Sequence, residues 1–174
     1  MSDATAGEMD QDTGESEKKT TTVDKPVIIV TTSGNYQGYI NLNFSSVQIF
    51  RISDLFLKGE FSFLPLYNAT IQGQKGKTVL INLKDIAMVI PKDNIFGPSP
   101  ELRKDAKATV KLKYNLGKLL GKVNLWGETQ QMDRISDLLN FPGKKWLVLY
   151  EANYKGENLP AAIINLEFIS TVED

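Results

Sequence analysis

The residues best suited to chemistry in this chain occur twice. Arg51-Ile52-Ser53-Asp54-Leu55 returns in the second half of the chain as Arg134-Ile135-Ser136-Asp137-Leu138. Two arginines can hold anions, and two aspartates can bind a cation or move protons, so Arg51, Asp54, Arg134 and Asp137 form a candidate paired polar site. If the two copies faced each other across a pseudo-two-fold axis, the aspartates would make a carboxylate pair in a cleft. A structural account is more economical. Arg and Asp at i, i+3 pair on a helix surface for about 0.2–0.5 kcal/mol. Ser53 or Ser136 caps a helical turn, and the neighbouring Asp complements its dipole. The apolar spacing Ile49, Ile52, Leu55, Phe56, matched by Met132, Ile135, Leu138, Leu139, predicts that the motif lies on a short helix.

Other chemistry is sparse. The chain has no cysteine and no histidine. Disulfides, thiolate nucleophiles, imidazole acid–base work and Cys/His zinc sites are therefore excluded, and no catalytic residue, metal site or cofactor is assigned. Lys111, Lys113, Lys118 and Lys122 make a modest basic patch, with Tyr114 and Trp126 nearby to stack bases. The alternation Val110-Lys111-Leu112-Lys113-Tyr114 puts Tyr114 on the face opposite the lysines, which favours a solvated strand face that resists edge aggregation. Asn41, Asn82, Asn124 and Asn165 recur in paired strands, where Asn is disfavoured. Cross-strand hydrogen bonds or bulges explain them better than a bound polar ligand does. Gly73–Thr78 has some of the glycines of a phosphate loop without its spacing, and reads as a hairpin turn.

The duplicated motif belongs to a longer ungapped correspondence, at the one offset that carries Arg51 onto Arg134. Gly38, Asn41 and Leu42 fall on Gly121, Asn124 and Leu125, and Ile81-Asn82-Leu83 falls on Ile164-Asn165-Leu166. The chain reads as a tandem duplication. Residues 1–25 are a disordered acidic tail, 26–91 repeat 1, 92–107 a linker and 108–174 repeat 2. Each repeat is near the lower size limit of a self-stabilising domain, so the two should share buried surface. Each reads as strand, strand, short helix, strand, strand, strand. That pattern predicts a mainly β fold: two tandem small, strongly curved sheets, or SH3-like or Sm-like barrels.

One comparison between the repeats bears on binding. Aligned on the offset, Val27–Val30 matches Val110–Lys113, so Ile28 and Val30 stand where repeat 2 has Lys111 and Lys113. An apolar outward face needs a cover, either the other repeat or another chain, and Ile28 and Val30 are the candidate protein-binding residues.

The net charge of −1 divides unevenly. The tail is acidic, while each repeat is mildly basic and far from the strong positive balance expected of a nucleic-acid binder. With 41% hydrophobic and 24% charged residues the composition is that of an ordinary soluble protein. No apolar run reaches the roughly 20 residues that span a bilayer, and no signal peptide is visible, so a cytoplasmic protein is expected.

Both repeats resemble a group of small uncharacterised bacterial domains, repeat 2 most fully. These carry a Gly-x-(Val/Ile) strand, then Arg-(Leu/Ile)-Ser-Asp-Leu-Leu-Asn, then a strand ending in Ala. The matching segments here are Gly121-Lys122-Val123, Arg134–Asn140 and Trp146–Ala152. Repeat 1 departs from the motif at Phe56-Leu57. The resemblance implies a bacterial source and no particular activity. Sm-like barrels are a more distant comparison, because their Asp-x-(Met/Phe)-Asn and Arg-Gly signatures are absent. The sequence is thus read as a non-enzymatic binding module for another protein, including self-association. Weak RNA or DNA binding through the lysine strand is the alternative, and a carboxylate enzyme using Asp54 and Asp137 comes third.

Overall fold

The computed structural model describes residues 22–43, 52–58, 61–71, 73–93, 103–126 and 132–174. Among these described residues ten strands and two short α-helices follow one another. The first half holds β1 (Thr22–Thr31), β2 (Asn35–Asn43), α1 (Ile52–Lys58), β3 (Phe63–Ile71), β4 (Gln74–Asn82) and β5 (Ile86–Pro91). The second holds β6 (Asp105–Leu112), β7 (Lys118–Asn124), α2 (Ile135–Leu139), β8 (Trp146–Tyr154), β9 (Glu157–Asn165) and β10 (Ile169–Glu173). Ile52–Leu55 and Ile135–Leu138 of the motif are helical, as the spacing predicts, while Arg134 is the extended N-cap of α2. Among the described residues no helix is long and apolar enough to cross a membrane.

The strands form one open antiparallel sheet in the order β10-β6-β7-β8-β9-β5-β1-β2-β3-β4. Neither five-strand set is closed on itself by backbone pairing among the described residues. The sets meet at a seam between β9 and β5, where Met88 faces Ile164 and Val89 faces Ile163. β4 and β10 are left at the two edges. Local registers recur at the offset of the sequence repeat: Leu64↔Ile81 and Leu66↔Val79 in β3–β4 return as Leu147↔Ile164 and Leu149↔Ala162 in β8–β9.

Two cores lie on opposite faces of the sheet where it crosses the seam. One gathers Ile40, Leu42, Ile52, Phe56, Leu64 and Leu66 from the first half, and includes Trp146 and Ile163 from the second. The other gathers Val110, Leu119, Ile135, Leu138 and Leu149, and includes Val30, Met88 and Ile90 from the first half. Strand β5 is consequently buried at every position, which is why Ile86–Ile90 reads as an uninterrupted apolar run. Each such side chain contributes about 1.5–3 kcal/mol on burial, against about 0.5–1.5 kcal/mol for a ladder hydrogen bond. Side-chain exchange between the halves, more than the short ladder, therefore holds the seam.

Three boundaries differ from the sequence reading. Strand β1 begins at Thr22, inside the segment read as tail, because Asp24 accepts from Asn41 Nδ2 at 3.1 Å and Lys25 pairs with Asp93 at 3.3 Å. The rest of that tail, 1–21, lies outside the described residues. Strand β6 begins at Asp105, inside the segment read as linker. It also ends at Leu112, so Lys113 and Tyr114 fall in the turn. β6 is moreover two residues out of step with the offset. Val30↔Met88 and Ile29↔Val89 in the first half correspond to Lys111↔Thr171 and Val110↔Val172 in the second. Val30 thus matches Lys111, and Ile28 matches Thr109. The two extra residues go into the turn, where Tyr114 and Asn115 adopt φ of 56° and 55°.

Both halves bend at matching positions. The β2–β3 register shifts between Gln37 and Tyr39, and the β7–β8 register between Leu120 and Lys122, at Gly38 and Gly121. A Cβ on Gly38 would lie 2.7 Å from Tyr67 O, and one on Gly121 would lie 2.7 Å from Leu149 Cγ. The chain therefore needs glycine there for close backbone approach. Asn68 and Glu151, which the offset also superposes, both sit in the left-handed region at φ of 48° and 47°. Gly38→Ala and Gly121→Ala are each expected to cost about 1–3 kcal/mol through this overpacking, read as a lower urea midpoint at unchanged slope.

Candidate functional site

The apolar face expected to bind another protein is occupied from within. Val30 is 2% exposed and lies in the second-half core, and Ile28 is partly buried against the same cluster. Of the two covers left open by the sequence, the structure shows the other half of the same chain. Ile28 and Val30 are therefore corrected from a docking surface to part of the seam. Val30→Asp should unfold the protein or cost more than about 3 kcal/mol, because it buries an unpaired charge. Lys111→Asp, at the exposed matching position, should leave the melting temperature nearly unchanged.

Among the described residues no hydrogen bond or ion pair links Asp54 to Arg134 or Asp137. Arg51 lies outside the described residues. Ile52 and Phe56 anchor α1 in the first core, while Ile135 and Leu138 anchor α2 in the second. Asp54 and Asp137 therefore sit on helices that belong to different cores. Arg134 occupies the N-cap position of α2 without a side-chain capping bond, and Ser136 bonds Asp137 at 3.4 Å. Among the described residues no ion pair joins Arg134 to Asp137, which corrects the expected helix-surface pair. The ion pair at this end of α2 is Lys104–Asp133 at 2.9 Å, and that lysine holds the Asp133 carboxyl below its ordinary range.

The lysine strand is partly neutralised. Lys122 pairs with Glu151 at 2.5 Å, and this holds the Glu151 carboxyl below its usual range. Lys113 donates to Glu167 O at 2.7 Å from the turn. Lys111 and Lys118 are exposed directly opposite each other on β6 and β7, a like-charge cross-strand pair that favours a solvated face. Tyr114 is exposed in the turn and stacks edge-on to Phe168 at 5.9 Å. Three of the four asparagines bond the backbone, while Asn41 donates to the Asp24 carboxylate across the β1–β2 pair. Asn82 and Asn165 each accept from the amide two residues on, at 3.0 Å, and so open a 3-10 turn. Asn124 accepts from Lys104 N and Trp126 N.

The surface the sequence reading missed is the edge formed by β3 and β4. Phe63 and Tyr67 point away from the core on β3, Leu80 lies opposite Pro65 on β4, and Tyr39 lies opposite Tyr67 on β2. All four large side chains are exposed, Leu80 at 66% and Phe63 at 52%. In the second half the offset places Ile163 and Trp146 at the positions of these two, exposed at 0% and 4%. The second pair is covered by α1, β1 and β5, with Phe56 against the Trp146 ring at 4.8 Å. Among the described residues β4 pairs with β3 alone, so this apolar stripe lies at an edge of the sheet.

A second feature is a cavity of about 380 Å³ beside α2, lined by Leu57, Trp126, Met132, Phe141, Lys144 and Tyr150 among others. Burial pushes the Lys144 ammonium below its ordinary pKa. Arg103 stacks on the Tyr150 ring at 4.9 Å and pairs with Asp105 and Glu151. Among the described residues no group of three acidic, His or Cys side chains gathers to hold a metal ion. Compared with protein-family models, curated proteins and solved structures, the chain matches none of them.

One polar contact fixes the seam. Asn165 is buried, and its Nδ2 donates across to Ile86 O at 3.0 Å and Leu83 O at 3.5 Å. Asn165→Asp keeps the capping oxygen but turns the seam donor into an acceptor facing carbonyls. It should cost about 2–4 kcal/mol in chemical denaturation, whereas Asn82→Asp, which keeps its capping acceptor at the edge, should change monomer stability by less than about 0.5 kcal/mol.

Proposed function

We propose that this chain is a non-enzymatic protein-binding module that takes its partner by strand addition along β4. In this reading the chain is a tandem duplication of one small curved five-stranded unit of the SH3-like or Sm-like kind. The order β5-β1-β2-β3-β4, returning as β10-β6-β7-β8-β9, supports the duplication. The observation that carries the binding reading is Leu80. It is a large aliphatic side chain, mostly in solvent, on a strand that is the sheet's edge among the described residues, where edges normally carry charge or proline. An exposed apolar patch beside open backbone groups is a contact surface awaiting its partner.

The test uses tagged full-length protein as bait, wild type and Leu80→Glu in parallel, with and without nuclease. The expected result is a stoichiometric protein that survives nuclease and falls at least tenfold with Leu80→Glu. The variant should keep its fold, because Leu80 is outside both cores. Recovery indifferent to Leu80→Glu removes the β4 reading. Partners that vanish with nuclease instead move the function to the lysine strand and nucleic acid, with Lys111 and Lys118 as the contacts.

A further inference from the structure

We infer that the partner of β4 is β10 of a second copy of this chain, paired in the register that β9 and β5 use within one chain. The inference rests on the strand-addition reading and specifies the partner. The offset of the repeat carries β4 onto β9 and β5 onto β10. The chain therefore already contains one example of the junction that β4 and β10, the sheet's edges among the described residues, would make. Transferring the seam pairs Val89↔Ile163 and Met88↔Ile164 gives Leu80 opposite Val172 and Ile81 opposite Thr171 of the next copy.

Both sides of this junction are half-finished in the single chain. On the β4 side, Leu80 and Phe63 are exposed where Ile163 and Trp146 are covered. On the β10 side the relevant residues are Leu139, Ile169 and Val172, which match Phe56, Ile86 and Val89. The latter three are buried around Trp146 and Ile163, while Leu139, Ile169 and Val172 are only partly buried at the margin of the second core. Docking would place Phe63 against Leu139 and Leu80 against Ile169 and Val172. The polar contact transfers as well. Asn165 Nδ2 reaches Ile86 O at 3.0 Å, so Asn82 Nδ2 would reach Ile169 O of the next copy while Asn82 Oδ1 keeps its bond to Lys84 N. Charge agrees with the register: exposed Lys77 on β4 would lie near Glu173 and Asp174.

The junction is heterologous, one edge meeting a different edge, so each added copy presents the same free edge again. Such contacts close into a ring where the rotation divides the circle, and otherwise grow as a filament. A symmetric dimer through β4 alone would not use β10 and is a different arrangement.

Two readouts on the full chain test this. Native mass spectrometry of the wild type should show whole multiples of the monomer mass. Leu80→Glu and Asn82→Asp should each cut the assembled fraction at least tenfold while the melting temperature of the monomer is kept. Because the chain has no cysteine, Leu80→Cys with Val172→Cys reports the register directly. Facing Cα atoms at about 4.5–5.5 Å suit a disulfide. Mild oxidation should give a ladder of covalent multimers, and Leu80→Cys with Thr171→Cys far less, since neighbouring residues point to opposite faces. A wild type that stays monomeric across the concentration range overturns the inference. So does a multimer that tolerates Leu80→Glu, or a Leu80→Cys single variant that oxidises to a covalent dimer as readily as the double variant cross-links, since that would pair β4 with itself and not with β10. A monomer that still captures a different protein in a Leu80-dependent manner overturns the second copy and leaves strand addition standing. A monomer with no Leu80-dependent partner sinks both.

Discussion

The meeting of β9 with β5 is the constraint on which the rest of the structure depends. A five-stranded unit of this size has little interior of its own, and each half solves the problem by sending side chains into the other's core. Trp146 and Ile163 go one way, and Val30, Met88 and Ile90 go the other. Because alternate residues of a strand point to opposite faces, a single pair of strands at the seam serves both cores at once. Val89 faces the first and Met88 the second. That is only possible if the cores lie on opposite sides of the sheet, so the seam sets the arrangement of everything on either side of it. The buried amide of Asn165, donating to the carbonyls of Leu83 and Ile86, adds directionality to a junction that apolar contacts alone would leave free to slip.

Bending within each half follows from local chemistry. Gly38 and Gly121 remove the Cβ where β2 and β7 pass close to the next strand, and the register shifts at those points mark the bend. Asn68 and Glu151 take the left-handed conformation on β3 and β8. For Asn this is ordinary, since its short amide tolerates αL. For Glu151 it is less so, and there the carboxylate is held by Lys122 and Arg103. The same bend is made in both halves with different side chains holding it.

What the sequence reveals, and what it conceals, can be traced to periodicity. The helices were legible because apolar spacing of three and four is unambiguous, and most strands were legible from their β-branched runs. The two-residue displacement of β6 was not. A strand has period two, so shifting Val110-Lys111-Leu112-Lys113 by two leaves every residue on the same face and the inside–outside pattern intact. Only the partner register on β10 and the longer turn around Tyr114 reveal it. The apolar character of Ile28 and Val30 correctly signalled a covered face, but a sequence does not distinguish a cover from within the chain from one outside it. The exposed edge escaped for a related reason. Val79-Leu80-Ile81 has the look of a strand buried on both faces, as Ala162-Ile163-Ile164 is, and nothing local marks the first segment as an edge.

That last ambiguity is itself informative. Two segments of like composition occupy like positions in their halves, yet one is sealed and the other is open. If the β4 edge served only to end the sheet, an outward charge at position 80 would protect it more cheaply than leucine does, since lone edges attract unintended pairing. Strand β10, by contrast, leaves Ser170, Thr171 and Glu173 exposed, with Ile169 and Val172 half-buried. The edges are thus unequal: one is solvated and weakly acidic, and the other is apolar with a flanking lysine. Identical edges would favour pairing of each with itself. Unequal ones favour pairing of one with the other, and a contact built on that difference has a direction. The Arg-Ile-Ser-Asp-Leu motif fits the same logic. Its Ile and Leu pack on the first core from Ile52 and Leu55 and on the second from Ile135 and Leu138, a packing duty that both halves must meet.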